Sequence, residues 1–150
     1  MIIKANDNQA ETVKYIVHKT IDKIYPRYYP KGAVEFFKAH HNNNSIMEDI
    51  RGNMVFILKE DDILVGTVTI KENEILRLFV LPEYQHKGFG RKLLDYAEKI
   101  ISREYHEILI DASLPAKKIY KLRGYVEIEY NQILTESGDV LCYDVMTKEC

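Results

Sequence analysis

The sequence predicts an α/β sandwich built on a mixed sheet, and three observations carry that expectation. Apolar periodicity changes from three-and-four spacing to alternation near Met54. A strand, an amphipathic helix and a second strand follow one another between Glu74 and Asp111. Hairpin signals stand both before and after that unit.

The elements follow in order. Val13, Ile16, Val17, Thr20, Ile21 and Ile24 form one helical stripe, with a start signal at Asn8 and Glu11 and a stop at Pro26. A shorter helix follows Pro30 and Gly32, with Val34, Phe37 and Phe36 turned inward, and Asn42-Asn43-Asn44-Ser45 reads as a loop. Met54 to Glu60 and Leu64 to Lys71 read as strands joined by a hairpin at Asp61-Asp62. The third, Glu74 to Leu81, is nearly all apolar, as befits a strand covered on both faces, and Pro82 ends it. A helix from about Gly88 to Ser102 buries Phe89, Leu93, Leu94, Ala97, Ile100 and Ile101. Glu107 to Asp111 is the next strand, parallel to the third through a right-handed crossover. Pro115 opens a last helix that Gly124 closes. Val126 to Thr135 and Val140 to Lys148 then flank a turn at Glu136-Ser137-Gly138-Asp139.

Length and composition narrow the function classes. One hundred and fifty residues with no linker or repeat point to a single domain spanning 1–150. A net charge of −2 offers no basic field for a nucleic-acid partner. No apolar run approaches the ~20 residues of a membrane span, and Met1-Ile2-Ile3-Lys4 leads into polar residues rather than a signal segment. Cys142 and Cys150 are too few for a disulfide framework; Cys142 reads as a small strand hydrophobe and Cys150 as a frayed tail. The expected compartment is the cytoplasm. His40-His41 reads as a helix end, because no HExxH pattern or third ligand at helical spacing accompanies it, and no metal is expected.

The segment that carries chemistry is Gln85-His86-Lys87-Gly88-Phe89-Gly90-Arg91, between a buried strand and an amphipathic helix. Free N–H groups at a helix N-terminus attract anions, and glycines let phosphate oxygens approach the backbone. Lys87, Arg91 and Lys92 add positive charge. A P-loop would need Gly-x-x-x-x-Gly-Lys-Ser/Thr, which does not occur, and a dinucleotide fingerprint would need glycine where Leu93 stands. A plain glycine turn is the remaining alternative.

With the preceding Val80-Leu81-Pro82-Glu83, this Gln-x-x-Gly-x-Gly segment resembles the acetyl-CoA signature of the GNAT N-acetyltransferase superfamily. Ser113 to Tyr125 resembles that family's second motif, Asn-x-x-Ala-x-x-x-Tyr-x-x-x-Gly-Phe, with Ser113 in place of Asn and Tyr125 in place of Phe. The resemblance implies an α+β fold: a mixed, mostly antiparallel central sheet of about seven strands flanked by about four helices. It implies transfer of an acetyl group from acetyl-CoA to a primary amine, of a small molecule or of a peptide or protein, by direct attack in a ternary complex. Relatives often form homodimers. A CoA-binding module whose catalytic half has lapsed is the alternative.

The resemblance also distributes roles. Gln85, His86, Lys87, Gly88, Phe89, Gly90 and Arg91 would hold the pyrophosphate, and the backbone of Phe79 and Val80 the pantetheine arm, helped by Ser113. The Val80 N–H would stabilise the oxyanion and Tyr120 would serve the leaving thiolate as general acid or donor. Glu74 is the candidate base, with Glu35 and Asp111 behind it. Tyr25, Tyr28 and Tyr29 lie where this fold builds its acceptor wall, either lining it or packing the loop.

Overall fold

A computed structural model describes residues 1–150. The chain runs β1 (Ile2–Lys4), α1 (Ala10–Ile24), α2 (Lys31–His40), α3 (Asn43–Arg51), β2 (Val55–Glu60), β3 (Ile63–Lys71) and β4 (Glu74–Val80). It continues with α4 (Phe89–Ile101), β5 (Glu107–Ala112), α5 (Leu114–Leu122), β6 (Val126–Leu134) and β7 (Val140–Glu149). Seven strands form one sheet in the order β1-β2-β3-β4-β5-β7-β6. Every neighbouring pair is antiparallel except β4 and β5, which run parallel across the α4 crossover. The mixed, mostly antiparallel seven-stranded sheet is the expected one.

Helices cover both faces. On one, Val13, Ile16, Val17 and Ile21 of α1 and Ile46 and Ile50 of α3 meet Val55 and Ile57 of β2 and Phe79 of β4. On the other, Leu93, Leu94, Ala97 and Ile101 of α4 meet Val68, Ile75, Ile108 and Ile110. The nearly continuous apolar run of β4 is explained by this arrangement, since Phe79 belongs to one core and Val80 to the other. Asp61 and Asp62 both take positive φ, 48° and 64°, as the two-residue turn between β2 and β3 requires.

Three local expectations need correction. The helix signal at Asn8 lies two residues late: Asn6 caps a short 3-10 turn by accepting the Asn8 N–H, and Gln9 returns the bond to the Asn6 N–H. Asn42 to Ser45 is not a loop but the start of α3. The Asn42 side-chain oxygen accepts the Ser45 N–H at 2.9 Å, and its amide donates to the Ala39 carbonyl at 3.0 Å. Asparagine serves caps as readily as loops, so composition alone reads both the same way. Cys150 is exposed at the end of the chain, yet its backbone N–H bonds the His106 carbonyl at 2.9 Å.

Replacing Asn42 by Ala removes that cap. A loss of about 1 kcal/mol in unfolding free energy is expected, read as a lower urea midpoint with an unchanged slope; no shift would mean that α3 is held by packing alone.

Candidate active site

The site is made by two strands that part. β4 and β5 pair only at Glu74 with Leu109 and Ile75 with Ile110. Further along they diverge, and a cavity of about 860 Å³ opens between them, bordered by α2, the start of α4 and α5. On its other side β4 stays bonded to β3 as far as Val80 opposite Gly66. The Leu81 N–H reaches back to the Val65 carbonyl at 2.8 Å. Because successive strand amides point to opposite sides, the Val80 N–H is directed toward the opening. The Val80 carbonyl already accepts from Gln85 Nε2 at 2.9 Å and Thr20 Oγ1 at 3.2 Å. Gly66 keeps this region compact: a Cβ there would stand 3.0 Å from both Leu93 Cδ1 and the Phe79 carbonyl oxygen.

At one end of the cavity the chain turns into α4. His86 and Gly88 both have positive φ, 62° and 84°, so successive N–H groups converge into an anion-binding concavity. No acceptor in the protein takes the backbone N–H groups of His86 through Arg91; the first helical bond is Lys92 to the Gly88 carbonyl, and Gly88 has no side chain to cap the rest. The surface above the glycines is open: a Cβ at Gly88 meets nothing within 4 Å and one at Gly90 meets only Val80 Cγ2 at 4.0 Å. Arg91 lines the cavity, and neither it nor Lys87 nor Lys92 has an acidic partner. Lys87 and Lys92 lie over the rings of Tyr84 and Phe89.

Tyr120 comes from α5, opposite β4. It is 5% exposed, lines the cavity and makes no side-chain hydrogen bond. The one side-chain polar atom sealed off without a partner is Asn43 Oδ1, so the Tyr120 hydroxyl opens onto the cavity. Burial, with a contribution from Tyr25, raises its pKa and keeps the phenol protonated. Tyr25 donates to Ser113 Oγ at 3.1 Å, and burial pushes its own pKa up to about 12. Tyr29 donates to the Cys142 carbonyl at 2.9 Å and accepts the Leu114 N–H at 2.8 Å, fixing the start of α5 against β7.

The far end of the cavity holds His40, His41 and Asp111 among Phe36, Phe37 and Leu76. Asp111 has its pKa raised by burial of the carboxyl and by the charge of Glu129, although the residue as a whole is exposed. Arg77 sits at a bulge in β4 with φ 46° and only 7% of its side chain exposed. It pairs with Asp49 of α3 and donates from Nε to His41 Nδ1 at 3.0 Å.

A family model described as the acetyltransferase (GNAT) domain matches residues 24–138. The chain belongs to this family. It is an N-acetyltransferase. Among characterised relatives, it is 26% identical over 113 residues to the S-(2-succino)cysteine N-acetyltransferase of Bacillus subtilis, covering 64% of this chain and 68% of that protein. A GCN5-related N-acetyltransferase from Rhodopseudomonas palustris superposes with a TM-score of 0.91 at 24% identity, over 100% of this chain and 95% of that one. The PaiA N-acetyltransferase of Thermoplasma acidophilum, solved with coenzyme A, superposes with a TM-score of 0.78 at 22% identity, over 100% and 98%.

Within this GNAT domain the residues singled out from sequence divide as follows. Phe79, Val80, Gln85, His86, Gly88 and Gly90 line the cavity, and so do Arg91, Ser113 and Tyr120. Lys87 does not line it, its ammonium lying over the Tyr84 ring, and Phe89 faces the core beneath α4. The Gln85 side chain turns inward to the Val80 carbonyl rather than outward. Glu74 does not line the cavity. It stands where β4 and β5 are still paired, with its pKa raised by burial and by Asp111. Glu35 is exposed and also outside it. Of the three tyrosines of the α1–α2 connection, Tyr25 lines the cavity, Tyr29 packs in the core and Tyr28 is exposed. Asp49, Arg77 and His41 escaped sequence reasoning. The signal was an arginine inside a strand otherwise apolar, since a charge between two cores must find a partner.

Arg77→Met leaves Asp49 uncompensated in a largely enclosed place, and a loss of about 3–5 kcal/mol is expected. Adding Asp49→Leu should recover part of it; chemical denaturation of the two single variants and the double variant reads the coupling.

Proposed function

We propose that residues 1–150 form one domain that transfers the acetyl group of acetyl-CoA to a primary amine of a small molecule, by direct attack with both substrates bound. The observation that carries this is the row of six unpartnered N–H groups from His86 to Arg91 at the head of a cavity that continues to Tyr120. A diphosphate suits that row in charge and in its need for acceptors. The groove between β4 and β5 leads away from it and suits an extended arm laid beside β4. The solved complex of the Thermoplasma protein with coenzyme A supports the same choice of donor. The single-domain reading is supported by β7, which follows the stretch matched by the family model and inserts between β5 and β6.

The chemistry follows from the residues. A free lysine-like amine is disfavoured at pH 7 by roughly 4–5 kcal/mol, so its proton must leave before attack. Asp111, open to the cavity and raised in pKa, is the carboxylate placed to accept it through water, with Glu74 behind it. As nitrogen attacks the thioester carbon, negative charge grows on the carbonyl oxygen. The Val80 N–H is the donor aimed there, a contact of a kind worth about 3–4 kcal/mol. Collapse then breaks the carbon–sulfur bond. A thiol ionises near ~8.5 and a phenol near ~10, and burial of Tyr120 widens that gap. Tyr120 therefore donates a hydrogen bond that steadies the thiolate more than it surrenders its proton.

Gly90→Glu tests the donor site. The new Cβ has room, and a carboxylate in the first turn of α4 favours the helix. Thermal stability should hold or rise while acetyl-CoA affinity by calorimetry falls at least about a hundredfold, as expected when charge repulsion meets a phosphate site. Unchanged affinity would place the coenzyme elsewhere.

Tyr120→Phe should lower turnover with acetyl-CoA affinity nearly unchanged, and equal turnover would remove the hydroxyl from the mechanism. Asp111→Asn should slow turnover at neutral pH by about 10²–10⁴-fold and less at alkaline pH, where the amine is already free; a matching loss in Glu74→Gln alone would reverse the assignment of the base. A non-catalytic coenzyme-binding module would instead show binding heat and no thiol release with any amine.

A further inference from the structure

The His41 ring closes the end of α2 and lines the cavity away from the phosphate loop. Its Nδ1 accepts from Arg77 Nε at 3.0 Å. A guanidinium carries N–H groups and no acceptor and stays protonated. Nδ1 therefore holds no hydrogen, and a neutral ring must carry its one hydrogen on Nε2. The ring stays neutral: burial, Arg77, His40 and His18 all act against a second proton, and its pKa falls to about 3. His41 is thus neither a cation nor a base. It is a donor with one direction.

That donor has no partner in the protein. The other side-chain contacts of the ring are with aromatic groups, Phe79 at 5.8 Å and His40 at 4.9 Å between ring centroids. The nitrogen is not among sealed polar atoms, so it opens onto the cavity. Its aim is fixed by Arg77, which is held at positive φ in the bulge of β4 and clamped by Asp49. Backbone strain of this kind persists where the surroundings over-determine it, and it clusters at functional sites.

We propose that the Nε2–H of His41 takes an oxygen of the acceptor molecule, so that the amine acetylated here carries a carboxylate or carbonyl oxygen close to its amino group. This rests on the acetyl-transfer reading above and narrows its substrate class. Closeness follows from the neighbours. His41 touches Phe79, the residue before the Val80 N–H, and the charge of His40 acts on both His41 and Asp111. An amine delivered between Asp111 and Val80 would bring an oxygen one or two bonds away toward His41. Phe36, Phe37 and Leu76 line the same cavity without a polar side-chain group, and the Tyr143 phenol, which feels the charge of Asp111, is a second donor that the His41 variants separate from the first. The class is an α-amino acid, its amide, or the first residue of a peptide.

The experiment compares L-phenylalanine, L-methionine and their primary amides with 2-phenylethylamine and 3-(methylthio)propylamine, which lack the oxygen, by thiol release from acetyl-CoA. The oxygen-bearing acceptors should exceed the plain amines at least about a hundredfold in kcat/KM, the kind of ratio a site built around a hydrogen bond achieves. Preference for acids over amides identifies a carboxylate; parity identifies a carbonyl. His41→Ala should raise the acceptor KM about tenfold or more for the oxygen-bearing set only, and His41→Gln, which keeps an N–H donor, should restore part of it. Calorimetric affinity for acetyl-CoA should match the wild type in both variants, which shows that they fold. Nitrogen-15 NMR of the wild-type ring should show an Nε2–H tautomer that does not titrate between about pH 5 and 9, well above its lowered pKa. Equal use of both sets, or binding of acetyl-CoA with turnover of neither, overturns the proposal, and so does a ring that titrates or carries its hydrogen on Nδ1. Loss of acetyl-CoA binding itself would be a failure of the acetyl-transfer reading, and the NMR spectrum still decides the tautomer.

Discussion

The structure depends on one departure from regularity: two parallel strands that pair for two residues and then separate. A fully zipped β4–β5 ladder would satisfy its own backbone groups and leave no cavity. By parting after Ile75 and Ile110, the strands leave one edge of β4 without a neighbour in the middle of a seven-stranded sheet. Unpaired strand edges are normally a liability, blunted or covered. Here the edge is enclosed between helices, so it is reachable by a bound chain and protected from sheet-to-sheet pairing with other proteins.

Something must hold the strands apart and keep the edge aimed. The bulge at Arg77 changes the register between β3 and β4, and the buried pair with Asp49 fixes the bulge to α3. At the other end, Thr20 and Gln85 both donate to the Val80 carbonyl, tying the end of β4 to α1 and to the loop before α4. The same atom thus links the strand to the phosphate loop. A shift of the loop would move Val80, and a shift of Val80 would move the loop, so the Val80 N–H and the free N–H groups of the loop keep a fixed spacing. On the opposite wall, Tyr29 and Tyr25 hold the start of α5 and Ser113, which sets where Tyr120 stands.

Much of this was legible in the sequence because it rests on periodicity and on backbone punctuation. The stripe of α1, the hairpin at Asp61-Asp62, the α4 face and Gly124 with φ 101° are local facts with local signals. The turn into α4 was legible for the same reason, since Gly88 marks a point where φ is positive. The acceptor end was not. Its members come from α2, α3, β4 and β5, and their meaning lies in tertiary pairing: His41 looked like a helix end, and it is one, while also being aimed by an arginine 36 residues later. Asn42 shows the limit from the other side, because a cap and a loop use the same residue and only the tertiary environment separates them. Glu74 shows a third. Its position in the strand was read correctly, but the point at which β4 and β5 part is not written in either strand alone, and that point decides which carboxylate faces the cavity.

The environments of the titratable groups then divide the work. Burial raises Tyr25, Tyr29 and Tyr120 alike, so these phenols stay neutral, and the wall they form can donate hydrogen bonds but is not itself charged. Burial also raises Asp111, but repulsion from Glu129 is added there, which makes a carboxylate readier to accept a proton than an isolated one. At the loop end Lys87, Arg91 and Lys92 have no acidic partner, whereas Arg77 at the other end of the cavity pairs with Asp49 and gives its Nε–H to His41. The cavity is therefore polarised along its length, cationic at the loop, neutral and donating beside α5, and acidic at Asp111. That order matches the direction in which an acyl transfer must move charge: proton off the amine at one end, anion held at the other, and a thiolate steadied between them.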